Sequence, residues 1–228
     1  MLTALDEDRI AAAVTKAEQG TSGEIVCVLA SEVSTYGEVP LAWAAALVLV
    51  VPPIALAFGL HPLAVASAEG LWTISQASAL EGQLALALIA YATAQVALFA
   101  VAFLVISIPG VRRMLTPPSL KRHRVAKAAH QQFMAVASRA VGSDTGVLIF
   151  VAIDDRQVRI IAHEGIHEKV GDTAWTRATS AITAAMKDGA DPTSGILEAI
   201  EICGGALREH YPSSAPRAPE ARDRPLEV

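Results

Sequence analysis

Two stretches of the chain, 39–68 and 82–111, contain no Asp, Glu, Lys or Arg. Each exceeds the ~20 apolar residues that carry a helix across a hydrocarbon core. A helix that is apolar all round belongs in lipid or deep inside a large protein. The alternative to lipid is a pair of buried helices in a soluble core, which seldom run this long without a charge. The first stretch contains VPLAWAAALVLVVPPIALAFGLHPLAV, where Pro52 and Pro53 should kink the helix. A membrane helix tolerates such a kink when its neighbours satisfy the freed carbonyls. The second, LALALIAYATAQVALFAVAFLVISIP, is uninterrupted and ends at Pro109. The prediction is a transmembrane hairpin over 39–111, with spans at 39–64 and 84–109. An apolar fraction of 53% with only 5% aromatic residues and a mean hydropathy of +0.42 point the same way.

Orientation follows from the basic residues. The segment between the spans holds Glu69 and Glu81 but no Lys or Arg, whereas Arg112, Arg113, Lys121, Arg122, Arg124 and Lys127 follow the second span. Positive charge stays on the cytoplasmic side. The expected localisation is therefore a multi-pass protein of the cell (inner) membrane with both termini cytoplasmic and Trp72 near the outer interface. The run VRRMLTPPSLKRHR either lies against anionic lipid headgroups or simply sets the topology. Asp6, Glu7 and Asp8 stand where a signal peptide needs basic and apolar residues. The net charge of -5 gives no reason to expect nucleic acid as a partner.

With the hairpin set aside, a small pattern remains. Residues 6–19 read as an amphipathic helix with Ile10, Val14 and Ala17 on one face and Gly20 as its stop. GEIVCVLA (23–30) reads as a strand. Residues 119–141 are helical, with Val125, Ala129, Phe133 and Val136 in one stripe. TGVLIFVAI is an apolar run fit for a central strand, DDRQ is a turn, and QVRIIA is a second strand. Helices starting at Asp172 and at Pro192–Thr193 follow; Gly204 and Gly205 in the last one suggest close packing. The expected fold class is α/β, a small three-layer-like α/β sandwich with a mixed sheet, interrupted by the two-helix hairpin. The domain would be made of 1–38 and 112–211, its first two strands parallel, with a disordered tail over 212–228. Cys27 and Cys203 are expected as two buried thiols rather than a disulfide.

The string HEGIH, His163 to His167, matches the zinc signature His-Glu-x-x-His. That chemistry needs both histidines one turn apart within a long helix, with Glu164 as general base. Here His163 follows a strand, Gly165 favours a turn, and Lys169 and Gly171 leave room for only a short helical turn. A third ligand is not obvious. Strand directions gather Glu32, Asp154 and Asp155 at one end of the sheet. They gather Asp144, His163, Glu164, His167 and Asp172 at the other, and those five are the candidate ligands for a divalent cation. As bland alternatives, Asp172 is a helix cap, Asp144 a turn residue and the histidines solvated. No catalytic residue is identified: there is no phosphate loop, no Cys-x5-Arg and no Gly-x-Ser-x-Gly.

SDTGVLIFVAIDDRQVRIIAHEGIHEKVGDTAW (143–175) resembles the TPM domain family. The matching elements are Asp144 and Gly146 before an apolar strand, Asp155 and Arg156 in a turn, Val158 to Ile160, Gly165, and Asp172 opening a helix. SGEIVCVLA is similar to the family's first strand. The resemblance implies an α/β sandwich, often membrane-tethered; some members are described as acid phosphatases and some as calcium-binding. This chain departs from the usual layout by its inserted hairpin and its expected cytoplasmic face. The functional expectation is a bacterial-like, membrane-anchored, non-catalytic interaction or assembly module with a membrane-protein partner. The alternatives are a metal-dependent phosphatase of the TPM type and, more remotely, a zinc protease. The interaction-module reading requires no cofactor, whereas the phosphatase reading requires a divalent cation.

Overall fold

The computed structural model describes residues 4–31, 33–58, 77–137, 146–187, 191–214 and 223–227. In chain order they form α1 (Ala4–Glu18), β1 (Glu24–Ala30), α2 (Glu38–Ala57), α3 (Ala77–Ser107), α4 (Pro109–Leu115), α5 (Pro118–Ala137), β2 (Gly146–Ala152), β3 (Gln157–Ala162), α6 (Glu164–Val170), α7 (Asp172–Lys187), α8 (Pro192–His210) and β4 (Leu226–Glu227). They divide into two compact units. One is built from Met1–Thr35 and Pro117–Val228, the other from Tyr36–Thr116.

The first unit is an α/β sandwich. Its sheet has the order β3-β2-β1-β4. β1 runs parallel to β2, from Glu24 opposite Gly146 to Ala30 opposite Ala152. β3 is antiparallel to β2. Alternation splits the two central strands between two faces. Ile25, Cys27, Leu29, Val147, Ile149 and Val151 pack with Ile10 and Val14 of α1, Trp175 and Ile182 of α7, and Ile196, Ile200 and Leu207 of α8. Val26, Val28, Leu148 and Phe150 pack with Val125 and Ala129 of α5. Three layers result, as the sequence predicts, and both central strands are apolar on both faces because both faces are covered.

Local chemistry sets the boundaries. Gly20, at φ +80°, ends α1. Asp191 accepts the Thr193 N–H at 3.0 Å, with Pro192 in the first turn of α8. Glu18, only 2% exposed, accepts the Ile25 N–H at 2.7 Å, joining the end of α1 to the start of β1. The two glycines of α8 differ. A Cβ on Gly204 would stand 2.6 Å from Ala17 Cβ and 2.9 Å from its carbonyl oxygen, whereas one on Gly205 would meet nothing within 4 Å. Gly204 is therefore what lets α8 approach α1, and Gly205 is not used that way.

One element departs from expectation at the chain's end. The sequence predicts a tail without structure over 212–228, of which 215–222 and 228 lie outside the described residues. Pro212 instead bridges to Thr21, and Leu226–Glu227 pair parallel with Val28 and Leu29 of β1. Two residues beside a proline carry no period-2 signal, so contacts made far away in the chain fix them.

The second unit is the helix pair. α2 spans Pro52 and Pro53. Ala44, Ala102 and Ile106 are buried together, with Phe99 and Leu115 against them. Most large apolar side chains point outward: Leu49 is 72% exposed, Leu88 60% and Leu104 67%. Thr93 and Ser107 turn their hydroxyls back onto Ile89 and Phe103 carbonyls, the usual way to satisfy a hydroxyl in apolar surroundings. Glu38–Ala55 and Leu88–Ser107 are long and apolar enough to cross a membrane.

Candidate functional site

The end of the sheet where β3 stops holds His163, Glu164, His167 and Asp172. The His163 N–H donates to the Gly146 carbonyl at 3.0 Å, tying the end of β3 to the start of β2. His163 then adopts extended backbone angles (φ −58°, ψ 147°) and caps α6 through its own carbonyl. That oxygen accepts the N–H groups of Ile166 and His167 at 2.9 and 3.0 Å. α6 is a seven-residue helix that buries only Ile166, and it stops at Gly171, φ +69°. α7 begins at once with Asp172.

Gly165 therefore sits in the first turn of a helix rather than in an open turn. The physical reason lies across the fold. Tyr211, at the end of α8, donates its hydroxyl to the Gly165 carbonyl at 2.7 Å, and the Lys169 ammonium lies 4.6 Å over the Tyr211 ring. Together with the fully buried Ile166, these contacts hold a helix that local propensity alone would not. Tyr211 and Lys169 were absent from the sequence-derived set. The signal for Tyr211 was its spacing, four residues beyond Leu207 in the buried stripe of α8.

His163 is half-buried at the head of α6, Glu164 is exposed in its first turn, His167 is exposed one turn on, and Asp172 is exposed at the head of α7. Asp144 lies outside the described residues. All four described residues share one end of the sheet, and His167 and Asp172 meet there, with Nε2 3.4 Å from Oδ1. Their side chains are 55% and 85% exposed, so the pair contributes little stability. Among the described residues, no three His, Cys, Asp or Glu side chains are grouped to hold one metal ion. The His-Glu-x-x-His string thus spans a strand end and a short surface helix, a setting unlike the long helix on which paired zinc ligands are presented.

At the opposite end, the β2–β3 turn is tight. The Arg156 N–H donates to the Ile153 carbonyl at 3.1 Å, and Arg156 takes the left-handed conformation at φ +50°. The Ile153 and Asp154 N–H groups bond to the carbonyls of Ala30 and Ser31, so the turn extends the parallel pairing past the strands. Asp155 is 5% exposed. Glu32 lies outside the described residues. The two cysteines, Cys27 and Cys203, are free and buried, and burial pushes each thiol up to about 12.

Comparison with known proteins gives two likenesses. Residues 112–206 match the family described as the TPM domain. The fold is similar to the NMR structure of BA42 protein from the psychrophilic bacterium Bizionia argentinensis, at 18% sequence identity and a TM-score of 0.53, over 100% of this chain and 96% of that one. No curated protein sequence matches the chain.

Proposed function

We propose that this chain, which carries a TPM domain over 112–206, is a membrane-anchored interaction or assembly module without catalytic activity of its own. The observation that carries this reading is the helix pair, whose large apolar side chains face outward along two span-length helices. Water would penalise that surface and hydrocarbon would not. The basic residues that follow α3 in the chain support cytoplasmic termini, and their charge suits anionic headgroups.

The test is extraction of membranes from cells making the full chain. Retention in the pellet after alkaline carbonate, with release by detergent, is the expected result. Release by carbonate alone overturns the reading. Labelling from outside should reach a cysteine introduced at Trp72 and miss one introduced near Arg224; the reverse pattern would invert the topology.

His167 beside Asp172 gives the phosphatase reading its one geometric support. It requires hydrolysis of a simple phosphate ester that depends on added divalent cation and is lost in Asp172→Asn. The module reading expects no such activity from the purified full chain. It also expects zinc below stoichiometric amounts without chelator, and no change on His163→Ala.

A further inference from the structure

We propose that the outward face of α5 is a docking surface for anionic lipid. The proposal rests on the membrane-anchored reading and deepens it, by assigning the lipid contact to one face of one helix in the sandwich. α5 packs on the sheet through Val125 and Ala129. The opposite side of the helix carries His123, Lys127, His130 and Met134, a row at helical spacing, and all four are exposed. Arg122 is exposed beside this row. Setting the topology of a membrane hairpin needs only basic residues near a span; it does not need them aligned on the open side of a packed helix.

Charge is segregated across the sheet. No Asp or Glu stands between Glu81 and Asp144, and Arg112 to Lys127 holds six of the chain's 18 Lys and Arg residues. The other helical layer packs on the far face of the sheet. There α1 and α8 together carry seven Asp and Glu residues against three Lys and Arg, and Asp8, Glu198, Glu201 and Glu209 are exposed. The sandwich thus has an acid-free basic helix on one side and an acid-rich layer on the other, in a chain of net charge -5. An anionic surface attracts the first and repels the second.

Connectivity favours lipid as the occupant. α5 begins at Pro118, soon after α3 ends at Ser107, so the chain itself keeps the start of α5 within about 40 Å of the end of that span. Arg122 and Lys127 supply charge to lipid phosphates, and the imidazole N–H groups of His123 and His130 can donate to the same oxygens. Met134, 56% exposed, adds an apolar contact suited to the boundary between headgroups and acyl chains. Nucleic acid also offers phosphates, but the acid-rich layer of the same domain works against a long polyanion.

The experiment places the full chain in nanodiscs of phosphatidylcholine, with or without phosphatidylglycerol. A fluorescent label is attached at Gln131→Cys on α5 or at Glu209→Cys on α8; Cys27 and Cys203 are buried. Phosphatidylglycerol should lower acrylamide quenching at 131 about twofold and leave 209 unchanged. Salt of about 1 M, where the screening length is roughly 3 Å, should restore quenching at 131. Arg122→Gln combined with Lys127→Gln should restore it without salt. Equal quenching at 131 in both discs, or equal shielding at 131 and 209, overturns the proposal. So does a single-stranded oligonucleotide that shields 131 in neutral discs, which would make the face a nucleic-acid site. Should the double variant fail to insert, the salt response of the chain carrying Gln131→Cys alone decides. Carbonate extraction tests the anchored reading separately: a chain retained in the pellet but equally quenched in both discs sinks only this proposal.

Discussion

The sandwich and the helix pair are both rich in Leu, Val, Ile and Ala, yet they use them in opposite ways. In the sandwich, Leu148 is 1% exposed and Phe150 1%, whereas in the helix pair Leu49 is 72% exposed and Leu104 67%. The sandwich hides its apolar surface from water by layering helices on a sheet. The helix pair buries little, its few buried contacts centred on Ala44, Ala102 and Ile106. Apolar composition therefore does not specify a core. Periodicity does: strand alternation in the sandwich separates two packed faces, while the helix pair has no polar face to turn toward water.

The largest expected effect tests the packed side of this contrast. Phe150→Ala should lower stability of the sandwich by about 3–5 kcal/mol, read from denaturant midpoints of the detergent-solubilised chain. Leu104→Ala should leave that same transition unchanged. Next in size is Leu104→Arg, which places a charge inside a predicted span at a cost of about 2.5–3.5 kcal/mol on insertion scales. The expected result is a reduced membrane-integrated fraction, and full integration would remove the lipid reading of the helix pair. Gly204→Ala should cost about 1–3 kcal/mol, because its methyl group meets the α1 backbone. Gly205→Ala, open on that side, should gain about 0.5–1 kcal/mol from lower unfolded-state entropy.

The smallest effect concerns pH. Both thiols are raised to about 12 in the folded state from 9.0. A raised pKa means the folded chain holds its protons longer, so the stabilisation is fully present below pH 9 and falls away as pH rises from 9 toward 12. Thiol reagents at pH 8 should label neither Cys27 nor Cys203 until denaturant is added. Rapid labelling of the native chain would contradict their burial.

The three-layer fold was legible because TGVLIFVAI and GEIVCVLA are continuous apolar runs and the helices carry stripes such as Trp175, Ala178, Ile182 and Met186. β4 was not, since Leu226 and Glu227 are placed by Asp223 and Thr15 rather than by any pattern of their own. For α6 the sequence supplied Gly165, a helix breaker, while the stabilising partners Tyr211 and Ile166 act through tertiary contact. At the candidate site, strand direction brought His163, Glu164, His167 and Asp172 to one end of the sheet. It did not say which would touch, because the 3.4 Å approach of His167 and Asp172 depends on how α6 turns into α7.

The pairing of β1 also has a consequence for how the chain is made. Glu24 lies opposite Gly146 and Val28 opposite Leu226, so β1 meets one neighbour only after the helix pair has been synthesised, and the other only after residue 226. Until β2 has been made, EIVCVLA lacks its sheet neighbours, and its long-range pairings must bear the entropy of closing very large loops. Nascent chains stalled before Gly146 should therefore be the ones that chaperones retain and proteases clear.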